Sequence, residues 1–218
     1  MRAVVATGAG RYGDPWHPFA RTSQEIARIL AGDGWRVEAR EPDEALAALD
    51  GADLLVVNAG DPWRNGETGR GAPEASRAGL ADALARGIGV LAVHNAVSSL
   101  RDYPEWIPAI GGEWIVDRSG HPPIGPAVFD VVRPEHEIVA GLDRIEAFDE
   151  RYARLAVADE AEVLAVSEVD GERQPALWAL ERAGGRSVVS TLGHDERSFS
   201  SPAHREVLRR AARWTVSA

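Results

Sequence analysis

The 218-residue sequence contains no cysteine and no lysine, and all 24 of its basic residues are arginine. Without cysteine the chain has no disulfide bond, no thiolate metal site and no Cys-His nucleophile. Without lysine it has no Schiff-base residue and no phosphate-loop lysine. These absences exclude thiolate catalysis, pyridoxal-type chemistry and Walker-type nucleotide hydrolysis.

Positive charge and long apolar runs are also scarce. The formal net charge is −10, which opposes binding to a polyanion, and no basic stripe with interleaved aromatics is present, so we expect no nucleic-acid partner. No apolar run approaches the roughly 20 residues that span a bilayer. The N-terminal "MRAVVATGAG" is typical of a first strand rather than a signal peptide. We therefore expect no membrane segment, a cytoplasmic location and a small-molecule partner.

Apolar runs alternate with amphipathic segments in the first half of the chain. The pattern predicts strands over 2–8, 35–40, 52–60 and 87–93 and helices over 20–34, 43–51 and 73–87. Continuous Val/Leu runs separated by helices indicate α/β architecture, a doubly wound, mostly parallel sheet with helices on both faces. We expect one domain over residues 1–218.

The second half of the chain has a different pattern. After residue 100 the sequence predicts short strands joined by turns, a hairpin over 181–187 and a closing helix over 202–216. The Gly-, Asn- and Pro-rich segment 58–73 is predicted as a loop with the composition of a lid. "GAGRYG" at 8–13 matches only part of a dinucleotide fingerprint, and we interpret it as close backbone packing.

Three histidines follow predicted strands: His17 in "PWHPF", His94 in "AVHNA" and His194 in "LGHDE". Ligands of such sheets bind outside the carboxyl ends of the strands. His94 precedes a predicted short helix, whose dipole disfavours the imidazolium, so a neutral ring there can act as a base, metal ligand or hydrogen-bond donor. The alternative for His94 is a structural hydrogen bond to a neighbouring loop.

The other candidates each have a structural alternative. His194 with Asp195 suits a catalytic or ligand pair, but Asp195 equally suits a helix cap. His17 suits a pocket wall or a rigid turn with an exposed ring. In "FDERY" the adjacent acids Asp149 and Glu150 point to opposite faces of an extended chain, so at most one enters a pocket.

Three further histidines lie in the second half of the chain. His121 and His136 are predicted in turns and His204 on the last helix, with His136 and His204 expected to be structural or on the surface. No metal motif of fixed spacing is present. A divalent metal held by side chains from several loops stays an option, with His17, His94 and His194 as candidate ligands.

Several motifs together resemble the ThuA-like (trehalose utilisation) family, which shares the class I glutamine amidotransferase-like, flavodoxin-like fold. They are "VHNA" at 93–96, "YPEWIPAIGGEW" with "GHPP" across 103–123, "VVRPEHEIVAGL" at 131–142, "DERY" at 149–152, "PALW" at 175–178 and "GGRSVVSTLGHDERSFSSP" at 184–202. The resemblance implies that His94 occupies the elbow that carries the amidotransferase cysteine. The family elbow usually reads Leu-His-Gly, so Asn95 is a departure that affects the pocket.

The resemblance also implies a function in sugar catabolism, with 3-keto sugars as plausible intermediates. On this hypothesis the chain is an enzyme that acts on a keto-disaccharide or glycoside by His/Glu acid-base chemistry. The catalytic candidates are His94, Glu150 and His194. The substrate-binding candidates are His17, Asn95, His121, Tyr152, Trp178 and Asp195.

Aromatic side chains near these motifs suit either sugar stacking or the core. Trp16, Trp63 and Trp178 belong to this group, and for each tryptophan the core is the favoured interpretation. Two alternatives to a sugar enzyme stay open: a non-catalytic module that binds a carbohydrate or a partner protein, and a divalent-metal hydrolase of another substrate. A homo-oligomer is compatible with the sequence.

Overall fold

The structure, a computed structural model, describes residues 1–63 and 71–217. Of the segment predicted as a loop, residues 64–70 lie outside the described residues. The strands are β1 (Arg2–Thr7), β2 (Arg36–Arg40), β3 (Leu54–Asn58), β4 (Gly89–Val93), β5 (Gly112–Glu113), β6 (Gly125–Val131), β7 (Arg144–Asp149), β8 (Ala156–Val157), β9 (Glu162–Val169), β10 (Glu172–Arg182) and β11 (Gly185–Ser190). The helices are α1 (Phe19–Gly32), α2 (Pro42–Ala47), α3 (Glu74–Ala85), α4 (Trp106–Ile110) and α5 (Pro202–Trp214), with 3-10 turns at Gly10–Tyr12, His94–Ser98 and Ser198–Ser200.

Nine of these strands form one twisted sheet in the order β2-β1-β3-β4-β11-β10-β9-β6-β7. The first five strands of this order are parallel, as predicted from their continuous apolar runs. The remaining strands pair antiparallel, which fits the short strands and turns of the second half. The predicted α/β class with a flavodoxin-like parallel half is confirmed.

Helices cover both faces of the sheet because alternate residues of each parallel strand point to opposite sides. Ala3, Val5, Leu54 and Val56 pack in one cluster with residues of α1 and α5. The intervening strand residues pack in a second cluster with residues of α2, α3 and α4. Both faces of the parallel strands are thus buried, and for this reason their sequences are unbroken hydrophobic runs.

The loop after β1 needs a glycine at position 8. A Cβ atom on Gly8 would lie 2.5 Å from Cδ2 of Phe19 and 2.8 Å from the Tyr12 carbonyl oxygen. The close backbone packing predicted for "GAGRYG" is therefore present. This packing places the start of α1, and His17 in the loop before it, over the end of β1.

None of the helices within residues 1–63 and 71–217 combines the length and the apolar character needed to cross a bilayer.

His204 makes the stability of this fold depend on pH. The ring lies on α5, is completely buried and contacts the Ser198 hydroxyl at 3.0 Å through Nδ1. Burial lowers its pKa from 6.5 to about 4. The unfolded chain therefore binds a proton that the folded chain excludes, and this contribution to stability is present above pH 6.5 and is lost as the pH falls toward 4.

We expect the free energy of unfolding of wild type, relative to His204→Asn, to fall by about 3 kcal/mol between pH 7 and pH 4. Asparagine is chosen because its side-chain amide can replace Nδ1 toward Ser198. Urea denaturation at several pH values measures the difference, with His136→Asn as the control at a less buried histidine. Parallel pH profiles for wild type and His204→Asn would contradict the prediction.

Candidate functional site

The strand β4 ends at Val93, and His94 is the first residue of the elbow. The backbone φ of His94 is +51°, a left-handed conformation that costs a non-glycine residue free energy and that clusters at functional sites. The side chain is 1% exposed. His94 itself begins the predicted short helix, a five-residue 3-10 turn over His94–Ser98, and a turn of this length contributes little dipole.

Hydrogen bonds at both nitrogens fix the His94 ring. Nδ1 lies 2.7 Å from the Thr191 carbonyl oxygen, which can only accept, so Nδ1 carries the ring proton. Nε2 is then left with its lone pair and accepts from the Tyr152 hydroxyl at 2.9 Å. The ring is thus held neutral, with Nε2 directed toward the Tyr152 side.

The pKa of His94 lies well below its ordinary value. Burial is the largest cause, and the neighbouring His17 and His194 add to it. The predicted neutral imidazole is therefore present, but desolvation and like-charged neighbours replace the helix dipole as its cause.

Glu150 follows β7 and lies among three histidines. Its carboxylate oxygens are 3.6 Å from His94 Nε2, 3.4 Å from His121 Nδ1 and 3.3 Å from His194 Nδ1. The residue is 6% exposed. Glu150 therefore brings negative charge to a group of imidazole rings that are themselves neutral or cationic.

Asp149, the residue before Glu150, points away from the cluster and holds a loop. Its carboxylate accepts from the backbone N–H groups of Gly193 at 2.7 Å and His194 at 3.2 Å, and from the Ser198 hydroxyl. Burial raises the pKa of Asp149 to about 6. The prediction that at most one of these two acids enters the pocket is thus met, and the other acid positions the loop of His194.

Gly193 allows that loop to approach the elbow. Its φ is +127°, and a Cβ atom there would lie 2.8 Å from Cγ1 of Val93. Only glycine accepts both constraints. The ring that follows, His194, consequently lies with its centroid 5.3 Å from that of His94. Burial lowers the pKa of His194, but the nearby carboxylate of Glu150 outweighs burial and the net shift is upward.

His17 reaches the same cluster from the loop after β1. Its Nδ1 lies 2.7 Å from Asp14 Oδ2, and its ring centroid is 5.1 Å from that of His94 and 4.8 Å from that of His194. Asp14 also accepts from the His17 backbone N–H. The "DPWH" segment therefore folds back on itself and fixes the ring, which excludes the alternative of a turn with an exposed histidine.

A cavity of about 560 Å³ opens above these side chains, a size in the range of small-molecule sites. It is lined by Trp16, His17, Asp61, Asn95, Ser98, Trp114, Val116, His121, Ile124, Glu150, Tyr152 and His194. Of the sequence-predicted residues, His17, Asn95, His121, Glu150, Tyr152 and His194 are thus brought together, with His94 buried beside them.

Two predicted substrate-binding residues are not in this cavity. Trp178 is a correction: it is fully buried in the core, where its indole N–H donates to the Ile110 carbonyl at 2.9 Å. Asp195 is the second correction, because its carboxylate accepts from the backbone and side chain of Arg197. Asp195 is not a helix cap either, because the N-cap of the following Ser198–Ser200 turn is Arg197, with no side-chain cap hydrogen bond.

Sequence reasoning missed Asp14, Asp61, Ser98 and Trp114. Asp14 had a local signal, because an aspartate three residues before a histidine can pair with its ring. Trp114 lies in the "GGEW" part of the family-like motif, but nothing in the sequence places it 5.0 Å from the Tyr152 ring, centroid to centroid. These positions depend on contacts between distant segments.

Comparison with known proteins agrees with this architecture. A protein from Parabacteroides merdae described as ThuA-like aligns with 100% of this chain and 90% of its own, at 17% identity and a TM-score of 0.81. A ThuA-like protein from Bacteroides uniformis aligns with 98% of this chain and 90% of its own, at 16% identity and a TM-score of 0.75. A glutamine amidotransferase from Thermotoga maritima aligns with 100% of this chain and 99% of its own, at 9% identity and a TM-score of 0.63.

At these identities the solved structures establish the fold alone, the class I glutamine amidotransferase-like fold. Among curated proteins no relative matches the sequence. The ThuA family model, described as trehalose utilisation, matches residues 2–215. Because that match spans nearly all of the sequence, the chain belongs to the ThuA family.

Proposed function

We propose that this protein is an enzyme of sugar catabolism that cleaves a 3-keto disaccharide or a 3-keto glycoside in the cavity above His94. The observation that carries the proposal is the position of Glu150, a carboxylate 3.3 to 3.6 Å from three imidazoles beneath an open cavity. The family description, trehalose utilisation, supports a sugar substrate.

A ketone at C3 of a sugar makes the proton on C2 acidic, so a carboxylate can remove it. Glu150 takes this proton, and the C–H electron pair forms the enolate of the C3 ketone. The enolate then reforms the ketone and a C1–C2 double bond while the bond from C1 to the glycosidic oxygen breaks. The departing oxygen takes the proton from Glu150, which leaves a free sugar, an unsaturated keto sugar and an unchanged carboxylate.

The surrounding side chains suit the charge that develops on the C3 oxygen. The rings of His121 and His194 lie at the cavity wall. Hydrogen-bond donors fixed in a half-buried site stabilise such an oxyanion more strongly than water does.

Aromatic surface at the entrance suits a sugar ring. Trp16 is 55% exposed, and both Trp16 and Trp114 line the cavity. The flat, apolar face of a pyranose stacks on such rings. We therefore assign sugar contacts to Trp16 and Trp114 in place of Trp178.

Incubation with 3-keto-trehalose tests the function, with trehalose itself as the matched control substrate. We expect release of glucose from the keto sugar only, because trehalose lacks the acidic C2 proton. Thermal stabilisation by the keto sugar without any product would instead support the non-catalytic binding module. Absence of both stabilisation and turnover across a panel of keto glycosides would refute the proposal.

A further inference from the structure

Four potential metal ligands converge beneath the cavity. One ring nitrogen each of His17, His94 and His194 and one carboxylate oxygen of Glu150 lie within 4.8 Å of one another. They come from four separate segments, the ends of β1, β4, β7 and β11. All four side chains are at most 13% exposed, so water competes little for them.

Partners outside the cluster select which nitrogen two of the rings present. Asp14 binds Nδ1 of His17, and the Thr191 carbonyl binds Nδ1 of His94. Each of these acceptors holds the ring proton on Nδ1 and leaves Nε2 with a lone pair. Carboxylates and carbonyls bonded to the far nitrogen in this way are the usual support of metal-bound histidines, because they fix the tautomer and the orientation.

The third ring has an incomplete hydrogen-bond set. His194 Nδ1 is buried and, among residues 1–63 and 71–217, no group forms an aligned hydrogen bond with it, although Glu150 Oε1 is 3.3 Å away. A buried polar atom without a partner is costly unless something outside the chain satisfies it. Three imidazole nitrogens and one carboxylate oxygen form a donor set of the kind that binds a divalent transition-metal ion.

We propose that His17, His94, His194 and Glu150 bind one first-row divalent transition-metal ion of the Zn²⁺ class. Imidazole ligands favour such ions, whereas Mg²⁺ and Ca²⁺ require mostly oxygen ligands. Metal–ligand bonds of about 2.0 to 2.2 Å place tetrahedral donors roughly 3.4 Å apart, so the side chains must close by about 1 Å. The Tyr152 hydroxyl must also leave His94 Nε2.

A bound ion would assist the proposed reaction, but the test with 3-keto-trehalose does not depend on it. Bound there, it supplies Lewis-acid stabilisation of a developing enolate. Glu150 has two carboxylate oxygens, so one can contact the ion while the other faces the substrate. The inference rests on the proposed function only for this role, because metal binding itself is measured without substrate.

Titration of the EDTA-treated protein with ZnCl₂ and with CoCl₂ tests the site. We expect one ion per chain by calorimetry and the intense visible bands of a four-coordinate Co²⁺ ion. His194→Ala removes a ligand at the least buried end of the cluster and should weaken Zn²⁺ affinity at least about 100-fold. Asp14→Asn keeps all ligands and should weaken it about 10- to 100-fold.

His136→Ala is the matched control, a histidine outside the cluster whose removal should leave Zn²⁺ affinity unchanged. Circular dichroism checks that each variant is folded, and Asp14→Asn keeps the test open if His194→Ala is not. Absence of stoichiometric binding, or binding that neither cluster variant weakens, would overturn the proposal. A protein that binds Zn²⁺ at this site but does not cleave the keto sugar would refute only the proposed function. A protein that cleaves the keto sugar but binds no Zn²⁺ would refute only the metal site.

Discussion

Glu150→Gln is expected to lower the turnover number for 3-keto-trehalose by about 10³-fold, with little change in KM. The amide has the shape of the carboxylate but cannot take a proton, and proton transfer by a positioned group contributes about 10² to 10⁴ in rate. The substitution introduces no cavity, so the far-UV spectrum and the melting temperature should stay near those of wild type. Steady-state release of glucose measures the effect, with and without added Zn²⁺.

Glu146→Gln is the matched control for this variant. Glu146 lies on the same strand, β7, but its side chain is 63% exposed and pairs with Arg144 at the surface. The same chemical change there should leave turnover within about twofold of wild type. A Glu150→Gln enzyme with near-normal turnover would exclude the carboxylate as the proton acceptor and move that role to His94.

Trp178→Ala is expected to lower the free energy of unfolding by about 3 to 5 kcal/mol. The indole is fully buried between strands and helix, and its removal leaves a large cavity and an unpaired Ile110 carbonyl. A loss of this size is a large part of the roughly 5 to 15 kcal/mol that stabilises a typical domain. Urea denaturation followed by circular dichroism measures it, and Trp178→Phe should show a smaller loss.

Trp16→Ala gives the opposite pattern and serves as the comparison. Its ring is half exposed at the cavity entrance, so we expect little change in stability and a several-fold rise in KM for the keto sugar. The pair of variants separates a core tryptophan from a sugar-binding one. Unchanged stability in Trp178→Ala would mean that the indole is not packed as the structure has it.

The parallel half of the fold can be predicted from the sequence because its strands are buried on both sides. Val and Leu runs such as "LLVVN" at 54–58 and "GVLAV" at 89–93 mark such strands directly. Once the strands are parallel, their carboxyl ends share one edge, and this places His17, His94 and His194 near one another. That inference needs only local patterns and one rule of topology.

Glu150 and Trp178 depend on information that local patterns do not contain. Glu150 follows β7, at the end of the antiparallel half, and the contacts beside it join distant segments: Tyr152 bonds to His94, and Asp149 accepts from Gly193. A tryptophan near a functional motif has the same sequence signature whether it lies in the core or a cavity.

Proton magnetic resonance of 3-keto-trehalose during turnover in D₂O tests removal of the C2 proton by Glu150 most directly. We expect that each glucose released is accompanied by loss of the C2 proton signal from the keto ring, and that Glu150→Gln slows both events together. Release of glucose from a keto ring that keeps its C2 proton would contradict removal of that proton, and with it the role of the Glu150 cluster.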